Sequence, residues 1–495
     1  MEADQALAGA VGAENRAGPS IADVLELLAS VPVSADGPGM IDQLRDLEDV
    51  KSAAAAKQAR IAVAYDLARR QEQAAAGVPA GELGAGVGAE IALARRESPA
   101  RGGRVLGLGK ALVTEMPHTL AALESGQLNE WRATLLVRET TCLAVEDRCA
   151  VDEELAADTG TFNGCGDRTI IAAVKAAAYR RDPGSVAKRA SHAITERTVS
   201  LRPAPDTMTL LTALLPVAQG VAAYSALTQQ VDALKSAGDD RSRGAIMADE
   251  LVERITGTPG GLTGIDIQLV MTDRTLFQGD SEPARLPGYG IVPAEWARKA
   301  VFDGTFGSAS TGSKASGSRS GVARAEVPES AGTSGRTELN VWLRRLYTAP
   351  ADGELVALDS KARLFPPGLK RFLQVRDDTC RTPYCDAPIR HHDHIIPWHT
   401  NGPTTSSNGQ GLCEPCNHTK ETPGWTSRTV TGPGQRHTVE LHTPTGHTYR
   451  STAPPLPGTA AAVAVAVAEK ATARRRRKLR RGVKSLKRAK VRIAA

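Results

Sequence analysis

Apolar residues at helical spacing dominate the first half of the chain. Between residues 40 and 76 there is no proline or glycine, and apolar residues recur every three or four positions. This pattern predicts one long helix. Further helices separated by turns are expected as far as residue 260. One interruption, at residues 194–216, alternates apolar and polar residues and predicts a short hairpin.

The pattern changes after residue 260. Residues 261–280 predict a buried strand and a turn, whereas residues 304–338 are dominated by Gly and Ser and predict a flexible linker. Two β-prone runs in residues 339–365 favour a hairpin. Residues 366–380 open on proline and predict a short helix, and the text after Trp425 indicates a small antiparallel sheet.

These patterns divide the chain into a mainly α N-terminal domain and a small C-terminal module. The frequent alanines favour helix in the former, because Ala loses no side-chain entropy on joining a helix. The expected divisions are a disordered leader (1–36), a helical domain (37–303), the linker (304–338), the module (339–457, with its core at 376–425) and a low-complexity, basic tail (458–495).

Charge is spread unevenly along this chain. Residues 470–495 hold thirteen Lys and Arg and no acid, while the whole chain carries a net charge of only +6. A basic tail on a mildly acidic body favours a polyanionic partner, since cations near phosphates release condensed counterions. We therefore expect nucleic-acid contacts from the densest basic run of the tail, which comprises Arg474, Arg475, Arg476, Arg477 and Lys478.

The N-terminus has no basic region followed by an apolar core, and the longest apolar run is too short to cross a bilayer. The sequence thus predicts a cytoplasmic protein without a membrane partner, with nucleoid association as an option. Protein partners and oligomeric state leave no sequence signal.

Four of the seven cysteines form two close pairs. Cys380 and Cys385 are separated by four residues, and Cys413 and Cys416 by two. Two such turns supply the ligands of a tetrahedral zinc ion, and in a reducing compartment paired cysteines favour a metal over disulfides. With sulfur at all four corners the zinc would be structural, because no position stays open for substrate. The alternative is four unrelated buried thiols.

The residues between the cysteine pairs carry candidate chemistry. The segment 391–398 predicts a strand with His392 and His394 on one face and Asp393 on the other. A long polar loop containing Asn408 follows, and a helix is expected to begin beside the second cysteine pair.

This order of elements resembles the HNH endonucleases, whose ββα-metal fold cuts phosphodiester bonds. The resemblance rests on the cysteine pairs, Asp393-His394, the Asn408 loop, and Asn417 with Lys420. It implies that His394 is the general base and that Asn408 braces the loop and orients His394.

The resemblance also implies a catalytic divalent cation, Mg²⁺ or Mn²⁺ or another ion of that class. Asp393 and the residue after the last cysteine would hold it. In this chain that residue is Asn417. Many family members have histidine directly after the cysteine, so His418, the next residue, is the alternative. For Lys420, near the proposed cation, the two alternatives are a contact with phosphate and a solvated residue of the helix.

The likeness extends from about residue 40 to residue 457. The helical region resembles the N-terminal part of uncharacterised actinobacterial proteins that end in an HNH module, a domain of unknown function. The expected function is metal-dependent hydrolysis of DNA phosphodiester bonds. The alternative is a non-catalytic, zinc-stabilised DNA-binding protein with a vestigial nuclease site.

Overall fold

A computed structural model describes residues 20–158, 160–257, 268–302, 363–432 and 434–459. The predicted linker, the predicted hairpin of residues 339–365 except its last three residues, and the basic tail lie outside these ranges. Contacts group the chain into two compact units, one of residues 1–64 and 108–186 and one of residues 65–107 and 187–495. In the part of the chain that the structure describes, no helix is long and apolar enough to cross a membrane.

The first unit is helical, as the sequence predicts. Its core is formed by apolar side chains of several helices, among them Leu112, Met116, Leu136 and Ile170, each 1 % exposed or less. The helices that contribute residues to this unit are α1 (Ile21–Ser30), α2 (Gly37–Ala75), α4 (Gly102–Thr114), α5 (Pro117–Glu124), α6 (Glu130–Thr140), α7 (Val145–Ala156), α8 (Asp167–Arg181) and α9 (Pro183–Ala193).

The long helix predicted from residue 40 is present as α2, whereas the disorder predicted for residues 1–36 does not hold for residues 21–30. Those residues form helix α1 instead. Ser20 accepts a hydrogen bond from the Asp23 amide, and the Asp23 carboxylate accepts one from the Ser20 amide, so both ends of a capping box are made. Residues 1–19 lie outside the described ranges.

Besides the remaining parts of α2, α4 and α9, the second unit contains α3 (Val87–Ala94) and the predicted hairpin, β1 (Thr198–Ala204) and β2 (Met208–Leu214). Both faces of this hairpin are exposed, including Leu201 and Leu210. Two helices follow, α10 (Val217–Ser236) and α11 (Arg243–Thr256).

The strand predicted within residues 261–280 is not formed in the described part of that segment. Val270 makes only an isolated bridge to Arg285, and the next residues form helix α12 (Asp273–Phe277). The Thr272 hydroxyl caps this helix by accepting from the Thr275 amide at 3.1 Å, a local bond that competes with strand pairing. Strands β3 (Ala284–Leu286) and β4 (Gly290–Val292) and helix α13 (Ala294–Phe302) follow.

Between residues 366 and 452 the C-terminal module confirms the predicted helices, the strand that begins at residue 391 and the small antiparallel sheet, whereas residues 409–412, predicted as part of the polar loop, form a strand because they pair with residues 391–394. Helix α14 leads to the first cysteine pair, an antiparallel pair β5–β6 and helix α15 follow, and three antiparallel strands in the order β7-β8-β9 end the module. The bounds are α14 (Pro367–Asp377), β5 (His391–His394), β6 (Gly409–Leu412), α15 (Glu414–Lys420), β7 (Thr426–Thr429), β8 (Thr438–His442) and β9 (Thr448–Thr452).

Helix α3 packs against this module through Trp425. The indole lies with Ala89, Leu93 and Leu441 in one buried cluster. Gly86, which precedes α3, has φ +81°, and a Cβ there would stand 2.7 Å from the indole nitrogen. Only glycine accommodates both the left-handed backbone and this close approach.

A buried ion pair joins the elements of the module. Arg376 Nε donates to Asp377 Oδ1 at 2.8 Å, and its other nitrogens donate to the carbonyls of Ser406 and Gly409, each at 2.7 Å. Asp377 Oδ2 in turn accepts from the Gly411 amide at 2.8 Å. The pair therefore ties α14 to β6 and to the loop before it.

The charge of Asp377 depends on its basic neighbours. Burial alone would raise the pKa of this carboxyl, but the guanidinium groups of Arg376 and Arg381 outweigh that effect and hold the pKa below its usual value. Both arginines are about 3 % exposed, so neither charge is compensated by water.

Replacing Asp377 by alanine should strongly destabilise the module. The change would leave the buried Arg376 charge without its partner, a loss of about 3–5 kcal/mol in comparable cases. Urea titration of the full chain, followed by tryptophan fluorescence, would measure it. Asp386→Ala is the control, since Asp386 is exposed. Equal midpoints for the two variants would contradict the role of the pair.

Candidate functional site

The four cysteines of the two pairs come together as one buried cluster. Their sulfur atoms all lie within 4.8 Å of one another, and Cys385 Sγ stands 3.8 Å from Cys413 Sγ and 3.7 Å from Cys416 Sγ. Four sulfurs around a tetrahedral zinc, each about 2.3 Å from the ion, would stand about 3.8 Å apart. The spacing therefore suits a tetrahedral, sulfur-bound metal ion.

Local turns build the cluster from the sequence. Between the first two cysteines, Tyr384 adopts φ +62° and the Cys385 amide donates to the Thr382 carbonyl. Cys413 is the N-cap of α15, and Cys416 lies in its first turn. Hydrogen bonds from neighbouring thiols lower the pKa of Cys380. In the described residues, this is the one group of three or more His, Cys, Asp or Glu side chains that could share an ion.

His394 ends strand β5 and is only 7 % exposed. Its ring lies against Phe365, with centroids 4.5 Å apart, and near Trp398 at 5.9 Å. Ring atom Nε2 is 2.9 Å from the hydroxyl of Thr404. Burial lowers the pKa of His394, and the opposing effect of the Asp393 charge does not reverse it, so the ring is neutral at pH 7.

The cross-strand neighbour of His394 is Gly409, and its lack of a side chain matters. A Cβ at Gly409 would stand 2.8 Å from both Leu373 and Phe365. The glycine therefore allows α14 and Phe365 to approach the hairpin and cover the His394 ring.

Asn408 fastens the polar loop to the end of β5. Its Oδ1 accepts from the Ile396 amide at 2.9 Å, while Nδ2 donates to the carbonyls of Ile396 at 3.1 Å and Pro403 at 2.9 Å. The side chain is 5 % exposed. These bonds go to backbone atoms, and it is Thr404 on the same loop that contacts the His394 ring.

Asp393 points to the other face of β5, toward α15, where Lys420 pairs with it. The Lys420 ammonium also donates to the His394 carbonyl at 2.6 Å, and the residue is 9 % exposed. The structure thus places the lysine inside the hairpin–helix contact, and its predicted contact with phosphate stays a prediction.

Two neighbouring residues of α15 were alternatives for metal binding. Asn417 Oδ1 is buried and has no hydrogen-bond partner in the described structure, whereas His418 is exposed. Asn417 precedes Lys420 by three residues, so the two lie on the same helix face.

Sequence reasoning missed two residues that contact the site, Thr404 and Phe365. Thr404 is one of several hydroxyl residues in a polar loop, and nothing in its type or spacing marks it. Phe365 could have been found as the large apolar residue before the Pro366-Pro367 helix start.

Removing the Asn408 side chain should loosen the loop without unfolding the module. In Asn408→Ala the Ile396 amide loses its partner, and an unpaired buried group costs about 1–3 kcal/mol. Hydrogen–deuterium exchange should therefore speed up in residues 396–408. Ser406→Ala is the matched control, because the Ser406 contact uses its carbonyl. Unchanged exchange in Asn408→Ala would show that the loop is held by other contacts.

Comparison with known proteins gives one result for this region. The HNH endonuclease family model matches residues 380–422, which include both cysteine pairs, β5, β6 and α15. This confirms the family resemblance for the C-terminal module. No curated protein and no solved structure matches the chain.

Proposed function

Since residues 380–422 form an HNH endonuclease domain, we propose that the protein is a metal-dependent endonuclease that hydrolyses DNA phosphodiester bonds. The observation that carries the proposal is the neutral, buried imidazole of His394 at the end of β5, next in sequence to Asp393, whose carboxylate faces α15 on the other side of the strand. Nucleic acid is the substrate class of the domain, and DNA is the substrate that we assign to it.

His394 would act as the general base. A neutral ring can accept a proton from the attacking water, which a charged ring cannot. In the tautomer whose Nε2–H donates to the Thr404 hydroxyl, Nδ1 carries the free lone pair and would take the proton. The rings of Phe365 and Trp398, tilted by 37° and 53° to the imidazole, pack around it and keep bulk water from most of it.

Asn408 would support this base through the loop. By joining Ile396 to Pro403 it closes the segment between the end of β5 and Thr404. The orientation of His394 expected from the family would thus come from the loop as a whole, with Asn408 acting on the backbone and Thr404 on the ring.

Asp393 and Asn417 would hold a catalytic Mg²⁺ or Mn²⁺. Both offer oxygen, the donor that these hard cations prefer, and the Asn417 oxygen is buried without another partner. The exposure of His418 favours Asn417 of the two alternatives. When bound, the cation would counter phosphate charge and stabilise the leaving oxygen.

The cysteine cluster would hold a structural zinc ion. A segment this short and polar buries little apolar surface, and the free energy of metal binding is free energy of folding in such modules. Because all four ligands are sulfur, this zinc would have no open position for substrate.

We assign the contacts with the DNA backbone to basic side chains of the C-terminal tail. Arg474, Arg475, Arg476, Arg477 and Lys478 lie outside the described residues, and their phosphate contacts rest on charge alone. Lys420 would reach phosphate only if it left Asp393.

One observation favours a second candidate function. The Lys420 ammonium already neutralises Asp393, the carboxylate that the catalytic cation needs. A protein in which this pair persists would bind DNA through a zinc-stabilised module and cut nothing. The two functions differ in one measurable property, cleavage.

The wild-type protein should relax or linearise supercoiled plasmid in Mg²⁺ or Mn²⁺, and His394→Ala should not. Loss of a general base lowers rates roughly 10²–10⁴-fold. His399→Ala is the control, because His399 is exposed and close in sequence. Gel electrophoresis of the plasmid, with filter binding on the same samples, measures both properties. Equal DNA retention without cleavage by any of these proteins would favour the non-catalytic function.

Cys413→Ser should release the proposed zinc and unfold the C-terminal module. Metal analysis of the purified wild type should give about one zinc per chain, in keeping with one cluster of four thiols. Cys165→Ser, outside the cluster, should retain it. Retention of zinc and of the folded module in Cys413→Ser would contradict the four-sulfur site.

A further inference from the structure

The three-stranded sheet β7-β8-β9, which follows the residues matched by the family model, contacts the loop of residues 395–408 between β5 and β6. His437 lies directly before β8 and is 1 % exposed. Its Nε2 is 2.9 Å from the carbonyl oxygen of Ser407, and the hydroxyl of Thr429 on β7 donates to the same oxygen at 2.9 Å. Two side chains of the sheet therefore hold one peptide group of the loop.

Ser407 stands between the two loop residues that serve the proposed site. Asn408 is the next residue, and Thr404, whose hydroxyl contacts the His394 ring, precedes Ser407 by three positions. The Thr405 hydroxyl accepts from the Asn408 amide at 3.1 Å, so this stretch is a tight turn. A displacement of the Ser407 carbonyl would thus be transmitted to Thr404 over a short, closed piece of chain.

The protonation of His437 is fixed by its surroundings. Burial, followed by the charge of Arg376, lowers the pKa of His437 to about 3, so the ring is neutral. A carbonyl oxygen only accepts hydrogen bonds, which places the single ring proton on Nε2. Nδ1 is left buried without a partner. An apolar side chain would fill this space without an unpaired nitrogen, so packing alone does not account for a histidine here.

We propose that His437, outside the matched residues, is a positioning residue for the general base: through the Ser407 carbonyl it sets the loop that places Thr404 against His394. This inference rests on the proposed nuclease function. The proposal extends the functional unit beyond residue 422. The three-stranded sheet would then belong to it, because the sheet holds the loop of residues 395–408.

The test compares two substitutions of His437 in the full-length protein. His437→Leu removes the donor, whereas the amide nitrogen of His437→Gln can reach the position of Nε2. For plasmid cleavage we expect kcat to fall roughly 10–100-fold in His437→Leu, as for other groups that orient catalytic residues, with KM unchanged. His437→Gln should restore most of kcat. His442→Leu is the control, because the His442 ring contacts Glu440 and Thr448 on the same sheet and not the loop.

Two further measurements separate positioning from folding and from the proposed function. Zinc content and melting temperature of His437→Leu should stay near those of the control. Side-chain ¹⁵N NMR, with His394 assigned through His394→Ala, should show an altered His394 ring in His437→Leu and an unaltered one in His442→Leu, whether or not the protein cuts DNA.

An unchanged His394 resonance in His437→Leu would overturn the positioning role, even in an active enzyme. A fall in activity that merely matches the fraction of unfolded protein would overturn the positioning role as well. A fall that His437→Gln fails to restore would do the same. An altered His394 resonance in His437→Leu, in a protein that cleaves no plasmid, would support the positioning contact of His437 and contradict only the proposed nuclease function.

Discussion

The buried pair of Arg376 and Asp377 is the contact on which the geometry of the C-terminal module depends. It lies at the end of α14, and its bonds reach the loop at Ser406 and strand β6 at Gly409 and Gly411. Helix, strand and loop are each too short to be stable alone. Because one guanidinium and one carboxylate at the end of the helix satisfy backbone groups of the loop and of the strand, the three elements hold a single arrangement.

The module contains two separate sets of candidate metal ligands, one of sulfur atoms and one of oxygen atoms. Sulfur atoms gather on one side, at the start of α15, and would bind a soft or borderline ion that serves folding. The Asp393 carboxylate faces α15 from strand β5, Asn417 lies on that helix with a buried Oδ1, and these two oxygen donors are the ones proposed to bind a hard ion. A seven-residue helix contributes to both, since Cys416 lies in its first turn and Asn417 follows directly. The helix thereby fixes the orientation of one donor set relative to the other.

Much of this site could be predicted from the sequence, since its signals are local. The cysteine spacing predicts the cluster, and the alternation around Asp393 and His394 predicts their opposite faces. The contacts of Thr404 and His437 could not be predicted. Thr404 is one hydroxyl residue among several, and His437 lies 43 positions beyond the residue that it is proposed to orient. Such contacts are set by the packing of loop and sheet, which has no period along the chain. The short helix at residues 273–277 was missed because its signal is one local contact, the Thr272 cap, in a segment whose apolar pattern predicts a strand.

The ion pair of Lys420 and Asp393 balances the charge of this carboxylate from within the fold. The Lys420 side chain is 7 % exposed and that of Asp393 is 24 % exposed, so the two charges are only partly solvated. A divalent cation at Asp393, as proposed, would therefore compete with the Lys420 ammonium for the same carboxylate.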